Sequence, residues 1–302
     1  HAQARAITSE VIAGGGRTIV SAGGAGTFNA VLEGCHVEGT VPPDLRLAFL
    51  RKGSADLIGK RLGISDDLAQ AVEAIVEGIE LDRCLDADIL RVEATSPDGR
   101  VEARHLIGFG GFEVFGDVPR FTETRLIKYY KGVLGTLFGD LGPFFTGLAL
   151  AAIGWRIRLL RGRVSPTVLT LDGEELPPRT WSAVVVLNGD LGRDFPLGRG
   201  LPLAGEAFRV VALPWRGARA ALRQIAASRS GTILDAPESH GALVRTVRSL
   251  TVRPTVPRPA MVNVDGLRLM TKGEVRVSVS GRVRLVAGRI ATGAPPATGQ
   301  QG

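Results

Sequence analysis

Three glycines stand within four positions in Gly23-Gly24-Ala25-Gly26, followed by Thr27, Phe28 and Asn29. The residues before them, Thr18 to Val20, form a short β-prone run, and Phe28, Val31 and Leu32 behind them recur at helical spacing. This pattern reads as strand, glycine turn, helix. The first N–H groups of a helix have no partner within it, and the helix dipole adds partial positive charge at that end. Glycines let an anion come close to the backbone there. The chemistry this arrangement suits is the cradling of phosphate; the plain alternative is a tight turn and nothing more. A second turn of similar type, Lys52-Gly53-Ser54-Ala55-Asp56, follows the apolar run Leu45–Leu50. Two Asp-Gly pairs, Asp172-Gly173 and Asp265-Gly266, read as hairpin turns. Taken alone, neither carboxylate stands out from the other.

Composition bounds what these residues serve. The chain has 302 residues, 44% of them hydrophobic, enough for one large domain or two ordinary ones with a core. The two cysteines, Cys35 and Cys84, and four histidines lack the spacing of a zinc site or a disulfide framework. No metal-ligating residue is assigned, and Cys35 beside His36 reads as a packed cysteine next to a loop histidine. The net charge is +7, carried almost wholly by arginine. Such a balance suits phosphates or an anionic membrane surface. The chain lacks the basic block and the aromatic content expected of a nucleic-acid arm, so nucleic acid is not an expected partner. The most apolar stretch, Val133 to Ile153, is interrupted by Asp140, glycines and Pro143, and falls short of a membrane span. No leader is readable, and the opening on a helix-like run makes an N-terminal truncation the expectation.

The elements that must hold the turns fall into two groups. Residues 3–13, 28–32, 57–62 and a run capped by Ser65, with Leu68, Val72, Ile75 and Val76 on one face, read as helices around the strands 17–21 and 45–50. Strand, turn and helix at short intervals make a parallel α/β unit, and ligands there lie at the carboxyl ends of strands. Beyond Gly78 the chain turns β-rich. Expected strands are 89–94, 101–107, 155–160, 167–171, 183–187, 208–213, 243–252, 260–264 and 274–285. Helices are expected over 123–153 and 217–227. The fold class is therefore α/β plus β: an α/β domain over 1–80, an antiparallel β-sandwich domain over 81–290, and a Gly/Pro/Thr/Gln tail over 291–302.

The order of motifs resembles that of the diacylglycerol kinase and sphingosine kinase family of lipid kinases. Gly23 to Asn29 is similar to the family's GGDGTxNE segment, and Gly53 to Asp56 to its GTxND turn. Gly110-Gly111-Phe112-Glu113 is similar to its GxGFDA segment, and Met261 to Gly266 to its closing DGE hairpin. The resemblance implies a two-domain kinase that moves the γ-phosphate of ATP, with magnesium, to a lipid hydroxyl such as that of diacylglycerol. Gly23, Gly24, Ala25, Gly26, Thr27, Gly53 and Ser54 would hold the nucleotide, with Lys52 or Lys60 adding charge. Asp265 would be the catalytic carboxylate. A cytoplasmic location is implied, with peripheral contact at the inner membrane surface through the 144–153 run and Arg156, Arg158, Arg161 and Arg163. Three departures qualify the activity: Ala25 stands where the family has Asp, Asp56-Leu57 replaces Asn-Asp, and Leu267 replaces the DGE glutamate. A weak or inactive relative that binds nucleotide or lipid is the alternative. A dinucleotide enzyme is disfavoured, because Asn29 sits where a third glycine belongs and no acidic ribose ligand follows the next strand.

Overall fold

The computed structural model describes residues 2–37, 39–51, 57–122, 142–192 and 195–288. Helix α1 (Ala2–Ala13) packs on α2 (Ala25–Gly34), which follows strand β1 (Thr18–Gly23). Strand β2 (Arg46–Arg51) pairs with β1 in parallel, Thr18 opposite Arg46 through Gly23 opposite Arg51. The short α3 (Leu57–Arg61) and the longer α4 (Leu68–Glu80) complete this layer. Parallel pairing demands that the chain cross over between strands, and α2 supplies the crossover.

Strands β3 (Cys84–Thr95), β4 (Val101–Leu106), β6 (Thr167–Leu171), β7 (Glu174–Glu175), β11 (Ser249–Pro254) and β14 (Val275–Val286) join β1 and β2 in one eight-stranded sheet. Strand β14 is its spine. It pairs with β3 along its full length, with β11 through its first half, and with β2, in parallel, at Arg284 and Leu285. The chain's end thus returns to its beginning: the Gly288 N–H donates to the Leu62 carbonyl (2.7 Å) and the Ala287 N–H to that of Arg83 (2.9 Å). A second, six-stranded antiparallel sheet runs β10 (Leu243–Val247), β9 (Phe208–Pro214), β8 (Trp181–Leu187), β5 (Phe109–Glu113), β12 (Ala260–Val264), β13 (Leu267–Thr271). Alternating apolar residues of the two sheets, among them Leu90, Leu106, Leu169, Phe208, Val264 and Val277, close the sandwich core. The other face of the second sheet carries α5 (Val114–Thr122), α6 (Gly142–Leu160) and α7 (Ala218–Ser230).

The two-layer plan of an α/β unit and a sandwich agrees with the sequence reading, but several elements differ. Trp155–Leu160, expected as a strand, is the end of α6; its alternation of Arg with apolar residues imitates a period of two inside a continuing helix. The expected 123–153 helix lies outside the described residues over 123–141. The expected strand 243–252 is two strands in different sheets. The cap of α4 is Asp67, whose carboxylate accepts from the Gln70 N–H (2.9 Å), and not Ser65. Of the expected α4 face Leu68, Val72, Ile75 and Val76, Ile75 is buried, together with Ala71 and Gly78, while Leu68, Val72 and Val76 face outward. Gly78 explains the rotation: a Cβ there would lie 2.7 Å from the Ala287 carbonyl, so the small side of α4 is the one that approaches the returning chain.

Helix α5 lies equally close to β12. A Cβ on Gly116 would sit 2.1 Å from the Met261 carbonyl, a contact that only backbone movement relieves. Gly116→Ala is expected to destabilise the fold by about 1–3 kcal/mol, as overpacking does. A urea titration checks this; an unchanged midpoint would mean that α5 does not dock as described.

Candidate functional site

The glycine turn lies where the sequence places it, at the carboxyl end of β1, with Gly24 as the extended residue before α2. Gly24 makes no side-chain cap, and the Thr27 and Phe28 N–H groups both donate to its carbonyl (3.0 and 3.1 Å). The N–H groups of Ala25 and Gly26 are left at the helix start as donors for an external acceptor. Thr27 folds back over Gly23, where a Cβ would meet its hydroxyl oxygen at 2.6 Å. A Cβ on Gly24, in contrast, would meet nothing within 4 Å. That open cradle of backbone donors fits a phosphate group, the role in which the sequence casts Gly23, Gly24, Ala25, Gly26 and Thr27.

Asp265 and Gly266 form the two-residue turn between β12 and β13, both with positive φ (47° and 84°). The turn reaches across to the glycine turn: a Cβ on Gly266 would lie 3.7 Å from that of Ala25. Two segments 240 positions apart in sequence therefore face each other across one cleft. The Asp265 carboxylate is nearly buried and accepts three backbone N–H groups, from Ile107 (2.8 Å), Gly108 (3.1 Å) and Phe109 (2.8 Å). Asp172-Gly173 adopts the same turn, with φ of 49° and 88°, but its carboxylate accepts from Arg248 and Ser249 at the surface. The difference between the two Asp-Gly pairs is thus one of burial and partners. Gly53 and Ser54, and with them Lys52 and Asp56, lie outside the described residues. Ile58 on the following α3 packs over Gly108, so that helix borders the same cleft. Lys60 is on α3 as well.

Residues to which the sequence reading gave no role in the site hold the 105–109 crossing from the opposite side. Asn29, on α2, donates to the His105 carbonyl (2.7 Å). Glu33, one turn on, accepts from the His105 N–H (2.8 Å) and lies 3.1 Å from its Nδ1. Asn188 donates to the Ile107 carbonyl (2.9 Å), and its own N–H to that of Gly108 (2.9 Å). Polar residues in apolar strands and helices, such as Asn29 and Asn188, were the available signal. Burial works to raise the Glu33 carboxyl, but the His105 hydrogen bonds and charge, with that of His36, hold it below its ordinary value. His36 stacks on His105 with ring centroids 3.8 Å apart and makes no thiolate pair with Cys35. Burial of Cys35 pushes its thiol up to about 12. Among the described residues no cluster of three potential metal ligands forms.

A cavity of about 280 Å³ opens between the second sheet and the helices on it, lined by aromatic and aliphatic side chains including Phe115, Phe144, Phe145, Trp155 and Trp215. Phe109, whose N–H holds Asp265, packs its ring against Phe115 (5.9 Å) and Phe144 (6.1 Å) of that lining. The carboxylate and the apolar cavity are therefore one ring apart. Beside the cavity, Glu113 accepts from Trp155 Nε1 (3.0 Å) and pairs with Arg258, and Arg158 reaches Asp117 (2.6 Å). This staple fixes α6 to β5 and α5. Trp155 and Trp181 are buried, Trp155 from a helix and Trp181 from the sheet.

Residues 1–83 match the sequence model of the diacylglycerol kinase catalytic domain. No curated protein matches the chain. Among solved structures, a diacylglycerol kinase from Bacillus anthracis is 14% identical with a TM-score of 0.59, over 96% of this chain and 82% of that one. Two further structures from the same organism, provisionally named diacylglycerol kinases, are 15% and 16% identical, each with a TM-score of 0.61, over 95% of this chain and 82% and 83% of theirs. The fold is that of these solved structures, and residues 1–83 are similar to the diacylglycerol kinase catalytic domain.

Two outcomes follow from the geometry. Removing Asp265 strands three buried N–H groups, whereas removing Asp172 strands exposed ones. Asp265→Ala is therefore expected to cost on the order of 3 kcal/mol or more, and Asp172→Ala about 1 kcal/mol. Paired denaturation curves check this, and equal losses would contradict it. The second outcome concerns His36, held below its ordinary value by burial first and then by the charge of His105. A histidine depressed in the folded state stabilises it at pH above the unfolded value of about 6.5, and that stability is lost as pH falls through the folded value. The melting temperature should fall on acidification below that point, less steeply in His36→Asn. Parallel slopes would contradict the assignment.

Proposed function

We propose that the chain is an ATP-dependent lipid kinase that transfers the γ-phosphate to a hydroxyl of diacylglycerol or a related lipid. The observation that carries this is the meeting of the Gly24–Gly26 cradle with the Asp265-Gly266 turn, beside an apolar cavity. Phosphoryl transfer asks of a protein mainly positioning and charge stabilisation. The N–H groups of Ala25 and Gly26, with the α2 dipole behind them, would hold the terminal phosphates, and Thr27, Gly53 and Ser54 would border them. The aromatic cavity would take an acyl chain, setting the hydroxyl toward the cleft. The hydroxyl oxygen attacks the γ-phosphorus, the bond to the ADP oxygen breaks, and Asp265 takes the hydroxyl proton. Magnesium, which commonly binds through substrate phosphates and one or two carboxylates, would be carried by the nucleotide. The described residues form no cage for it, and no step is routed through it.

A second reading has its own support. Ala25 supplies no carboxylate where the resemblance expects one, and Asp265 is already the acceptor for three N–H groups. Both fit a chain that binds nucleotide or lipid and turns over slowly. Labelled ATP with diacylglycerol in mixed micelles separates the two. The kinase reading expects labelled phospholipid, and an increase on the order of 10²-fold or more in Ala25→Asp, the scale of a restored acid–base group. Binding of nucleotide without transfer in either protein would leave the second reading; binding of neither ligand would exclude both.

A further inference from the structure

We infer that a second cavity, at the other end of β8 from the cleft, binds a small apolar monocarboxylate between Arg179 and Arg216. The cavity holds about 260 Å³ and opens where β8 begins and β9 ends. Strand β8 leads from it to Asn188 at the cleft, about 23 Å away at the rise of an extended strand. Its construction follows from the strand register. Trp181 is opposite Pro214, and the Trp215 N–H donates to the Thr180 carbonyl (2.8 Å). One step further, the same antiparallel register sets Arg179 opposite Arg216. Side chains two apart in a strand share a face, and all four residues line the cavity. Trp181 and Pro214 are buried and both arginines exposed, so an apolar pair lies deep and a cationic pair at the mouth. Like charges directly opposite each other in a ladder are destabilising.

The two charges call for an external anion. Among the described residues, neither arginine side chain forms a hydrogen bond or ion pair. Arg216 is nevertheless held in place. Its guanidinium lies against Gly241, where a Cβ would meet Nη1 at 2.7 Å and Cζ at 2.8 Å. Gly241 closes the turn Glu238–His240 with a φ of 63°, a conformation that favours glycine, and the missing side chain is what admits the guanidinium. Gln224 ties that turn to the end of β9, donating to the carbonyls of His240 (3.1 Å) and Pro214 (3.4 Å). Glu238 is the acidic residue of the wall, and it pairs with neither arginine. Two guanidinium groups and one carboxylate leave a single positive charge for a ligand to neutralise. A carboxylate does so, and its two oxygens match the fork of guanidinium donors. A phosphate monoester would bring a second charge toward Glu238. Leu176, Pro177 and Leu243 complete the apolar walls. The space is at the small end for a ligand site, enough for a ring and a short linker.

The test is calorimetric titration of the full chain with 3-phenylpropionate, beside its neutral amide and phenyl phosphate, without nucleotide or lipid. Saturable binding of the carboxylate is expected, weakening with added salt, with the amide and the phosphate binding less tightly. Arg179→Gln and Arg216→Gln should each weaken it about tenfold or more, the scale of a lost charge-assisted hydrogen bond. Glu238→Gln should tighten it. Arg219→Gln, on α7 and outside the cavity wall, should leave it unchanged. Without ligand, Arg179→Gln and Arg216→Gln should melt no lower than the parent chain, because each relieves repulsion between like charges. No binding of the carboxylate, equal binding of the amide, or tighter binding of phenyl phosphate would overturn the inference. So would an equal loss in Arg219→Gln, weakening in Glu238→Gln, or a lowered melting temperature in both arginine variants, which would assign the pair to the fold. Because the assay contains neither ATP nor lipid, its outcome is separate from that of the kinase reading.

Discussion

One carboxylate holds the two sheets in register around the cleft. Where the chain leaves the first sheet at Leu106 and enters the second at Phe109, the N–H groups of Ile107, Gly108 and Phe109 would have no ladder partner. All three converge on Asp265. Hydrogen bonds to a charged acceptor are the stronger kind, and buried donors left without one are costly. The carbonyls of the same crossing are taken by Asn29 and Asn188, one from each side of the cleft. The crossing is thus pinned by α2, β8 and the β12–β13 turn at once. Because α2 also begins at the glycine turn, that turn and Asp265 are tied to the same knot of backbone hydrogen bonds.

The knot explains why the apolar cavity lies where it does. Gly108 has no room for a side chain, since a Cβ would meet the Asp265 carboxylate at 2.9 Å and Ile58 at 3.1 Å. The next residue, Phe109, turns its ring away from the cleft into the aromatic cluster of Phe115, Phe144 and Phe195. Polar cleft and apolar cavity are consequently neighbours through one residue. A substrate with a hydroxyl at one end and a hydrocarbon chain at the other matches that sequence of environments. The Glu113, Trp155 and Arg258 staple, with burial raising the Glu113 carboxyl despite the arginine, holds the helix that roofs the cavity.

What could be read in the sequence was what local chemistry determines. Strand, glycines and helix at 18–34 declare themselves because backbone freedom and helical spacing act within a few residues. Local pattern marks Asp265-Gly266 only as a turn, on the same terms as Asp172-Gly173, and the family resemblance alone sets it apart. Its distinction comes from donors 156 to 158 positions away, which no local pattern reveals. The return of β14 to β2 was hidden for the same reason, as was the knot through Asn29, Glu33 and Asn188. The misread face of α4 has a different cause. Leu68, Val72 and Val76 have the spacing of a core stripe with Ile75, yet close approach of Gly78 to Ala287 turns Ala71, Ile75 and Gly78 inward instead. Room for the returning chain at Gly78 set which face turns inward.

The proposed function depends first on the glycine turn as the nucleotide site, since the cleft and the cavity take their meaning from a phosphate held there. Calorimetric titration of ATP into the purified chain, beside Gly24→Val, tests this most directly. The open position of Gly24 predicts saturable binding in the parent chain and its loss in the variant, with both proteins melting alike. Binding that survives the substitution unchanged, or no binding by the parent chain, would contradict it.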